Sequence, residues 1–252
     1  MIRRLRLASG LVMLAYVTTH FVNHGLGLVS VQVMDRALEH IYQYWASPLG
    51  GVLLYGAFAT HYSLALWALW LRRSLKMPSA EAIQLVLGFS IPFFLTDHVL
   101  QTRVADTFYG AGVGYYSSVL QTYFITNPLR GVLQFTVLVV AWVHAMIGLW
   151  FWLRLKPWYH RWQPILYAFA LLMPSLAILG ALEGGRQVIA LAEDPAWVAQ
   201  FAQDHPRPAP ADAAFLDDLV VWVRYAFVAA LLAVLQRVWR VGTGSAGAAS
   251  SA

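Results

Sequence analysis

Six long apolar segments constrain what this chain can fold into more than any other feature of its sequence. Each holds about twenty or more mostly apolar residues, enough for an α-helix to cross roughly 30 Å of hydrocarbon at about 1.5 Å per residue. We therefore predict an all-α integral membrane protein with six transmembrane helices. The predicted spans are residues 7–30, 48–71, 82–103, 129–153, 164–184 and 216–238.

The composition indicates that a lipid bilayer is the natural solvent of the chain. Its 252 residues are 60% hydrophobic and 12% charged, and the mean hydropathy is +0.59, well above that of an ordinary soluble domain. Cysteine is absent. Disulfides, thiolate-ligated iron–sulfur clusters and covalently attached c-type haem are thereby excluded, so any metal must be held by histidine or oxygen ligands.

The basic residues are distributed unevenly between the two ends of the predicted spans. The chain has 17 Lys and Arg residues and a net charge of +5. If the N-terminus is cytoplasmic, eleven of the 17 lie on the inner side: Arg3, Arg4, Arg6, Arg72, Arg73, Lys76, Arg154, Lys156, Arg161, Arg237 and Arg240. The positive-inside rule then predicts that both termini are cytoplasmic. We interpret the charge as a topology signal, and we expect no nucleic-acid partner.

Histidines recur in the first four predicted spans, one site in each. The first span contains His20 and His24, and the next three contain His61, His98 and His144. An intramembrane histidine is costly unless it faces protein and finds a partner, and four spans in succession favour a ligand role over isolated hydrogen bonds. The remaining histidines, expected at the membrane surfaces, are His40, His160 and His205.

The depths of these histidines predict two levels. His61 and His144 lie eleven and ten residues before basic residues at the inner ends of their spans, so they share a level in the inner half. His98 and His20 or His24 lie in the outer half. We predict a bundle of the first four helices that binds two haem b groups, with His61 and His144 on the inner iron and His98 and His20 on the outer iron. Periodicity alone leaves His24 open as an alternative ligand or a neighbour of the ligand, because positions four apart share a helix face.

Other residues are candidates for supporting roles around these ligands. Asp97, Arg103 and Tyr109 follow or adjoin the third-span histidine near the outer interface, where a haem propionate or a quinone head group needs polar contacts. Glu183 and Arg224 are expected to form an ion pair between the last two spans. Small residues one turn from the inner histidines are expected to make room for a planar macrocycle: Ala57, Ala65, Ala141 and Gly148.

Two resemblances add to this interpretation. The segment SGLVMLAYVTTHFVNHGLGL resembles the first helix of succinate dehydrogenase and fumarate reductase cytochrome b subunits, which implies that His20 is the ligand. The motifs THFVNHGLGLVS, DHVLQTR and AWVHAMIGLWFWLRLKPWYHRW are similar to the six-helix membrane anchor of certain bacterial class III adenylate cyclases. This second likeness covers residues 4–188, and His24 also matches its pattern.

The anchor resemblance implies a function that the residues alone do not. It implies a dihaem b domain in the bacterial inner (cytoplasmic) membrane that responds to the quinone pool and regulates a cytoplasmic adenylate cyclase domain, with a homodimer as the expected assembly. The chain contains no cyclase domain, so we expect no enzymatic activity from it as given. Residues 1–241 are then the six-helix dihaem domain, and residues 242–252 a flexible linker or tail.

Two alternatives are weighed against this prediction. The first is a cytochrome b subunit that carries electrons between quinone and a dehydrogenase of the succinate dehydrogenase type. Such respiratory subunits usually have fewer spans and bind their partners noncovalently. The second is a haem-free transporter, which would leave four intramembrane histidine sites without ligands.

Overall fold

Ten α-helices make up the computed structural model, which describes residues 1–112 and 114–249, with side chains described as far as residue 243. No strand occurs within these ranges, so the all-α prediction is confirmed. The helices are α1 (Ile2–Gly25), α2 (Val31–Trp45), α3 (Pro48–Trp70), α4 (Ser79–Val99), α5 (Ala105–Tyr109), α6 (Tyr116–Gln121), α7 (Pro128–Leu153), α8 (Tyr159–Leu191), α9 (Pro195–Asp204) and α10 (Pro210–Ala249).

Six helices are long and apolar enough to cross a membrane, as the apolar segments predict. They are α1, α3, α4, α7, α8 and α10, and α4 continues through a π turn, Leu100–Val104, into α5. Most of these helices extend beyond the predicted spans. Their first and last turns carry charged and aromatic residues suited to the membrane interface, which a hydropathy criterion leaves out.

The final helix also extends past its predicted span. The segment 242–252, predicted to be a flexible linker or tail, begins inside α10, which runs to Ala249. Residues 250–252 lie outside the described residues. The predicted boundary after residue 241 therefore falls inside a helix rather than at its end.

Side-chain caps explain where two of the spanning helices begin. The Ser47 hydroxyl accepts a hydrogen bond from the Gly50 N–H at 3.0 Å, and Pro48 occupies the first turn of α3. The Asn127 side chain accepts from the Arg130 N–H at 3.3 Å at the start of α7, which also has proline in its first turn. A polar cap followed by proline satisfies a free N–H and presets the helical φ angle.

The arrangement of the spanning helices determines which histidines can meet. Helix α1 packs against α3 and α8, and α4 packs against α7. The backbones of α1 and α8 come into direct contact, because a Cβ added at Gly27 would meet the Gly180 carbonyl oxygen and one added at Gly180 would meet the His24 carbonyl oxygen. Helix α1 thus lies between α3 and α8, with His24 buried.

The connecting segments fold over one end of the bundle. We call the end that holds the start of α1 the inner end and the opposite end the outer end. At the outer end, α2 packs against α6 and α8 around a buried apolar cluster of Val31, Met34, Tyr116, Leu120 and Val188. Apolar residues on one face of α2 favour this position against the bundle. The outer segments are therefore ordered helices that can contribute side chains to a site.

Helix α10 packs against α3 and α4 rather than against α8. Its Arg224 donates from Nε to the Phe93 carbonyl at 2.9 Å, and its Arg237 donates from Nη1 to the carbonyls of Trp70 and Arg72. Glu183 instead pairs with Arg186, three residues later on its own helix, at 2.7 Å. The predicted ion pair between Glu183 and Arg224 is wrong, since each has a nearer partner.

Candidate functional site

The two histidines predicted to share the inner level face each other. His61 on α3 and His144 on α7 have ring centres 6.2 Å apart, with ring planes at 84°. The helices that carry them are not consecutive in the chain. The pairing therefore depends on the tertiary fold rather than on local helical spacing.

A second pair forms toward the outer end. His20 on α1 and His98 on α4 have ring centres 6.1 Å apart, with planes at 57°. His24 lies one turn further along α1, where its Nε2 is 3.3 Å from Nε2 of His20. The four helices thus contribute one histidine each to two pairs, and the outer pair has a third imidazole beside it.

The ring separations suit a shared metal ion. An imidazole nitrogen lies about 2.0–2.1 Å from a bound metal and roughly 1.1 Å from its own ring centre, so two imidazoles on opposite sides of one metal have centres roughly 6 Å apart. Both observed separations match this value. In the described part of the chain, no three His, Cys, Asp or Glu side chains converge on one point. A haem macrocycle supplies four ligands itself and needs only the two axial imidazoles.

Backbone carbonyls orient both inner histidines. Nδ1 of His61 lies 3.0 Å from the Arg6 carbonyl oxygen, and Nδ1 of His144 lies 3.0 Å from the Gln84 carbonyl oxygen. A carbonyl can only accept, so each Nδ1 carries the proton and donates. Nε2 of each ring then holds the lone pair that a metal requires.

Glycines on facing helices adjoin the inner pair. A Cβ at Gly10 of α1 would lie 3.2 Å from Cε1 of His61, and one at Gly88 of α4 would lie 2.6 Å from Cε1 of His144. The sequence analysis considered small residues on the ligands' own helices and missed these two. The Ser9–Gly10 pair in the first resemblance was the available signal for one of them, whereas nothing in the sequence identified Gly88.

Two buried polar atoms beside the histidine pairs support the fit of a bound group. Within the described side chains, Nδ1 of His24 and Oε1 of Gln84 are buried and have no hydrogen-bond partner. Unpaired buried polar atoms are rare in folded proteins. His24 adjoins His20, and Gln84 is the residue whose backbone carbonyl accepts from His144. The other unpaired buried atoms are Nδ2 and Oδ1 of Asn23, the residue before His24.

The outer pair opens into a cavity that reaches the outer end. The space in it that the centre of a water-sized sphere can occupy is about 130 Å³, and His20, His24 and His98 line it. Its walls are largely aromatic and apolar, as is usual for sites that bind organic cofactors. Its other polar and aromatic lining residues include Tyr16, Tyr42, Trp45, Tyr55, Arg103 and Asp106.

Arg103 belongs to a polar network in the wall of this cavity. It donates from Nη1 to the Tyr42 hydroxyl and from Nη2 to the Ala46 carbonyl at 3.1 Å. The Tyr42 hydroxyl donates to Oδ2 of Asp106 at 2.5 Å. Burial and the hydrogen bond with Asp106 raise the pKa of the Tyr42 phenol, which therefore stays neutral.

The structure places the other two predicted residues away from the cavity. Asp97 faces Arg130, with Oδ1 and Nε 3.5 Å apart. Tyr109 packs against the apolar cluster of Ala105, Ala111 and Leu216. Of the three supporting residues proposed from the sequence, Arg103 alone lines the space beside the outer histidines.

Phenols adjoin the outer imidazoles on the side away from the pair. The Tyr116 hydroxyl lies 3.2 Å from Nδ1 of His20, and the Tyr123 hydroxyl lies 3.1 Å from Nδ1 of His98. Sequence reasoning missed both tyrosines, together with Tyr42, because they come from outer segments whose packing it did not predict.

Comparison with known proteins adds no relative, since no family model, curated protein or solved structure matches the chain.

Proposed function

We propose that this chain is a membrane domain that holds two b-type haems and responds to the redox state of the quinone pool. The observation that supports this most strongly is the pair of opposed histidine sets, drawn from four different helices and separated by 6.2 and 6.1 Å. The second supporting observation is the fixed orientation of the inner rings. Two sites at different depths favour electron movement along the bundle.

The residues define what chemistry such a domain can support. His61 with His144, and His20 with His98, would hold the two groups, each of which supplies one-electron iron chemistry when bound. Each pair would provide two imidazoles to one group, a ligand set associated with electron transfer rather than with binding of oxygen or substrate. The arrangement therefore suits electron transfer or redox sensing rather than catalysis at the metal.

We predict that the purified chain is red, with about two haems per polypeptide. The low-spin b-type spectrum follows from imidazole on both sides of each iron. Pyridine haemochrome absorbance measured against protein concentration gives the ratio. A folded, monodisperse preparation that stays colourless after expression with haem precursor and after reconstitution with haemin would overturn the proposed function.

A quinol is the proposed electron donor, and the outer cavity is its proposed site. Arg103 lines the cavity and can donate to the head group from N–H groups beyond those bonded to Tyr42 and Ala46, while Tyr16, Trp45 and Tyr55 form an aromatic wall. Such a site opens toward the outer membrane interface, which an isoprenoid quinone can reach from the bilayer.

We expect a soluble quinol analogue to reduce the haems, and we expect Arg103→Leu to slow that reduction about tenfold or more. The reason is the loss of a charge-assisted hydrogen bond. Stopped-flow absorbance at the b-type α band measures the rate, and dithionite reduction should be unchanged. Arg130→Leu is the matched control, because Arg130 pairs with Asp97 and Asp217 away from the cavity. Equal quinol rates in both variants would exclude the cavity as the quinol site.

Regulation of an adenylate cyclase domain, with a homodimeric assembly, remains a proposal from the resemblance. Contacts of α10 support it, since the Phe227 ring packs against Tyr62, which adjoins His61, with centres 5.1 Å apart. A change at the inner pair could thus reach the last helix.

The alternative proposal is a respiratory cytochrome b subunit with the same haem sites. The reading frame beyond residue 252 separates the two, because only the first requires a catalytic domain after α10.

A further inference from the structure

One outer segment supplies a phenol to each imidazole of the outer pair. Helix α6 and the π turn that follows it, Thr122–Thr126, carry Tyr116 and Tyr123 seven residues apart, about two helical turns. Tyr116 is 5% exposed, and its hydroxyl lies 3.2 Å from Nδ1 of His20. The Tyr123 hydroxyl lies 3.1 Å from Nδ1 of His98.

The hydrogen-bond network around His24 determines which nitrogen of His20 carries a proton. His24 and His20 share one proton between their Nε2 atoms, 3.3 Å apart. If His20 donated it, Nδ1 of His24 would hold a buried N–H without a partner. If His24 donates it, Nδ1 of His24 is a bare lone pair, which is the less costly arrangement because unpaired buried N–H groups are rare.

This assignment fixes the direction of the bond to Tyr116. With Nε2 of His20 accepting from His24, the His20 proton lies on Nδ1 and is donated to the Tyr116 oxygen. Phenols ionise only near pH 10, about three units above neutrality, so both oxygens belong to neutral hydroxyl groups. A phenol oxygen can accept from an imidazole N–H, and the Tyr116 hydrogen is then free to reach the neighbouring side chain of Asn23, whose Oδ1 is buried without another partner.

We propose that Tyr116 and Tyr123 are positioning residues that hold His20 and His98 in the Nδ1–H tautomer, so that each ring keeps its Nε2 lone pair. Phenols thus do at the outer pair what the carbonyls of Arg6 and Gln84 do at the inner pair. The inference rests on the proposed function for the identity of the bound metal group. It also assigns the ligand role to His20 rather than His24, because the Nδ1 of His24 has no partner among the described residues.

The test reads the tautomers directly in the chain without haem. Nitrogen-15 NMR of a histidine-labelled sample in nanodiscs distinguishes Nδ1–H from Nε2–H rings. We expect His20 and His98 to be Nδ1–H. Tyr116→Phe should shift the His20 tautomer ratio about fivefold or more toward Nε2–H, and Tyr123→Phe should do the same for His98, because each loses one hydrogen bond.

Tyr62→Phe is the matched control. This tyrosine adjoins His61 and packs in an aromatic cluster with Phe89 and Phe227, so its hydroxyl loss should leave all tautomers unchanged. The signals of His61 and His144 report whether each variant keeps its fold. If the wild-type His20 or His98 is an Nε2–H ring, the inference is overturned whatever the variants do.

The haem-loaded protein gives a second readout. Each tyrosine variant should raise the midpoint potential of one haem only, since loss of the acceptor makes the axial imidazole less basic. Failure of the proposed function is recognised separately, because a chain with the expected tautomers that binds no haem retains the positioning inference and loses the cofactor. The positioning role alone is overturned if the chain binds two haems but neither tyrosine variant changes the histidine tautomers or the midpoint potentials.

Discussion

We expect the replacement of His61 or His144 by alanine to remove the proposed inner haem and to leave the proposed outer one in place. The two substitutions should have the same effect. The ring centres of His61 and His144 are 6.2 Å apart, and each substitution removes one of the two imidazoles that would hold the same iron. Pyridine haemochrome absorbance per chain should fall by about half in either variant. Redox titration should show that the same spectral component is missing from both.

The outer pair provides the reciprocal test. His98→Ala and His20→Ala should both remove the other component, and His24→Ala should keep two haems. A loss of the outer haem in His24→Ala, with retention in His20→Ala, would reverse the assignment within α1. Loss of one and the same haem from His61→Ala and His98→Ala would contradict the two-level arrangement itself.

The spans were predictable because crossing a lipid bilayer requires long apolar helices, and the hydropathy of the side chains identifies such helices directly from the sequence. The depths of His61 and His144 were predictable for the same reason, since helix rise converts chain distance into height. The sequence does not state which helices are neighbours. The contact of α1 with α8 at Gly27 and Gly180 depends on glycines that look unremarkable in a membrane helix.

Helical geometry explains why two of the supporting residues lie away from the cavity. Asp97 precedes His98, and successive residues on a helix point about 100° apart, so Asp97 turns toward Arg130 while His98 faces the cavity. Tyr109 follows His98 by eleven residues, which in a regular α-helix is about three turns and the same face. The π turn at Leu100–Val104 lies between them and adds a residue to the turn, rotating everything after it.

The tyrosines of the outer site were out of reach for a different reason. Tyr116 and Tyr123 belong to a segment with no transmembrane signal, and their positions depend on how α6 packs against α2 and α8. Histidines stand out in an apolar span because they are costly there, whereas a tyrosine near an interface is ordinary. Ligands are therefore easier to predict than the groups that orient them.

Gly88 gives the second large effect, because it tests the inner site without touching a ligand. We expect Gly88→Ala to displace His144, since the new Cβ would lie 2.6 Å from its Cε1 and 3.0 Å from its Nδ1, well inside the roughly 3.5–4.0 Å of favourable carbon contact. A retreat of the ring would disturb the 3.0 Å hydrogen bond between its Nδ1 and the Gln84 carbonyl. Haem stoichiometry and the low-spin EPR signal of the inner haem should show its loss or distortion.

A graded series of alanine substitutions separates this effect from a general cost of altering membrane helices. Gly10→Ala places its Cβ 3.2 Å from His61, so its effect on the inner haem should be in the same direction and smaller. Gly56→Ala, on the same helix as His61, has nothing within 4 Å and should bind two haems with an unchanged spectrum. If Gly88→Ala also kept both haems with the wild-type EPR signal, the close approach of α4 to His144 could not be what holds the inner ligand in place.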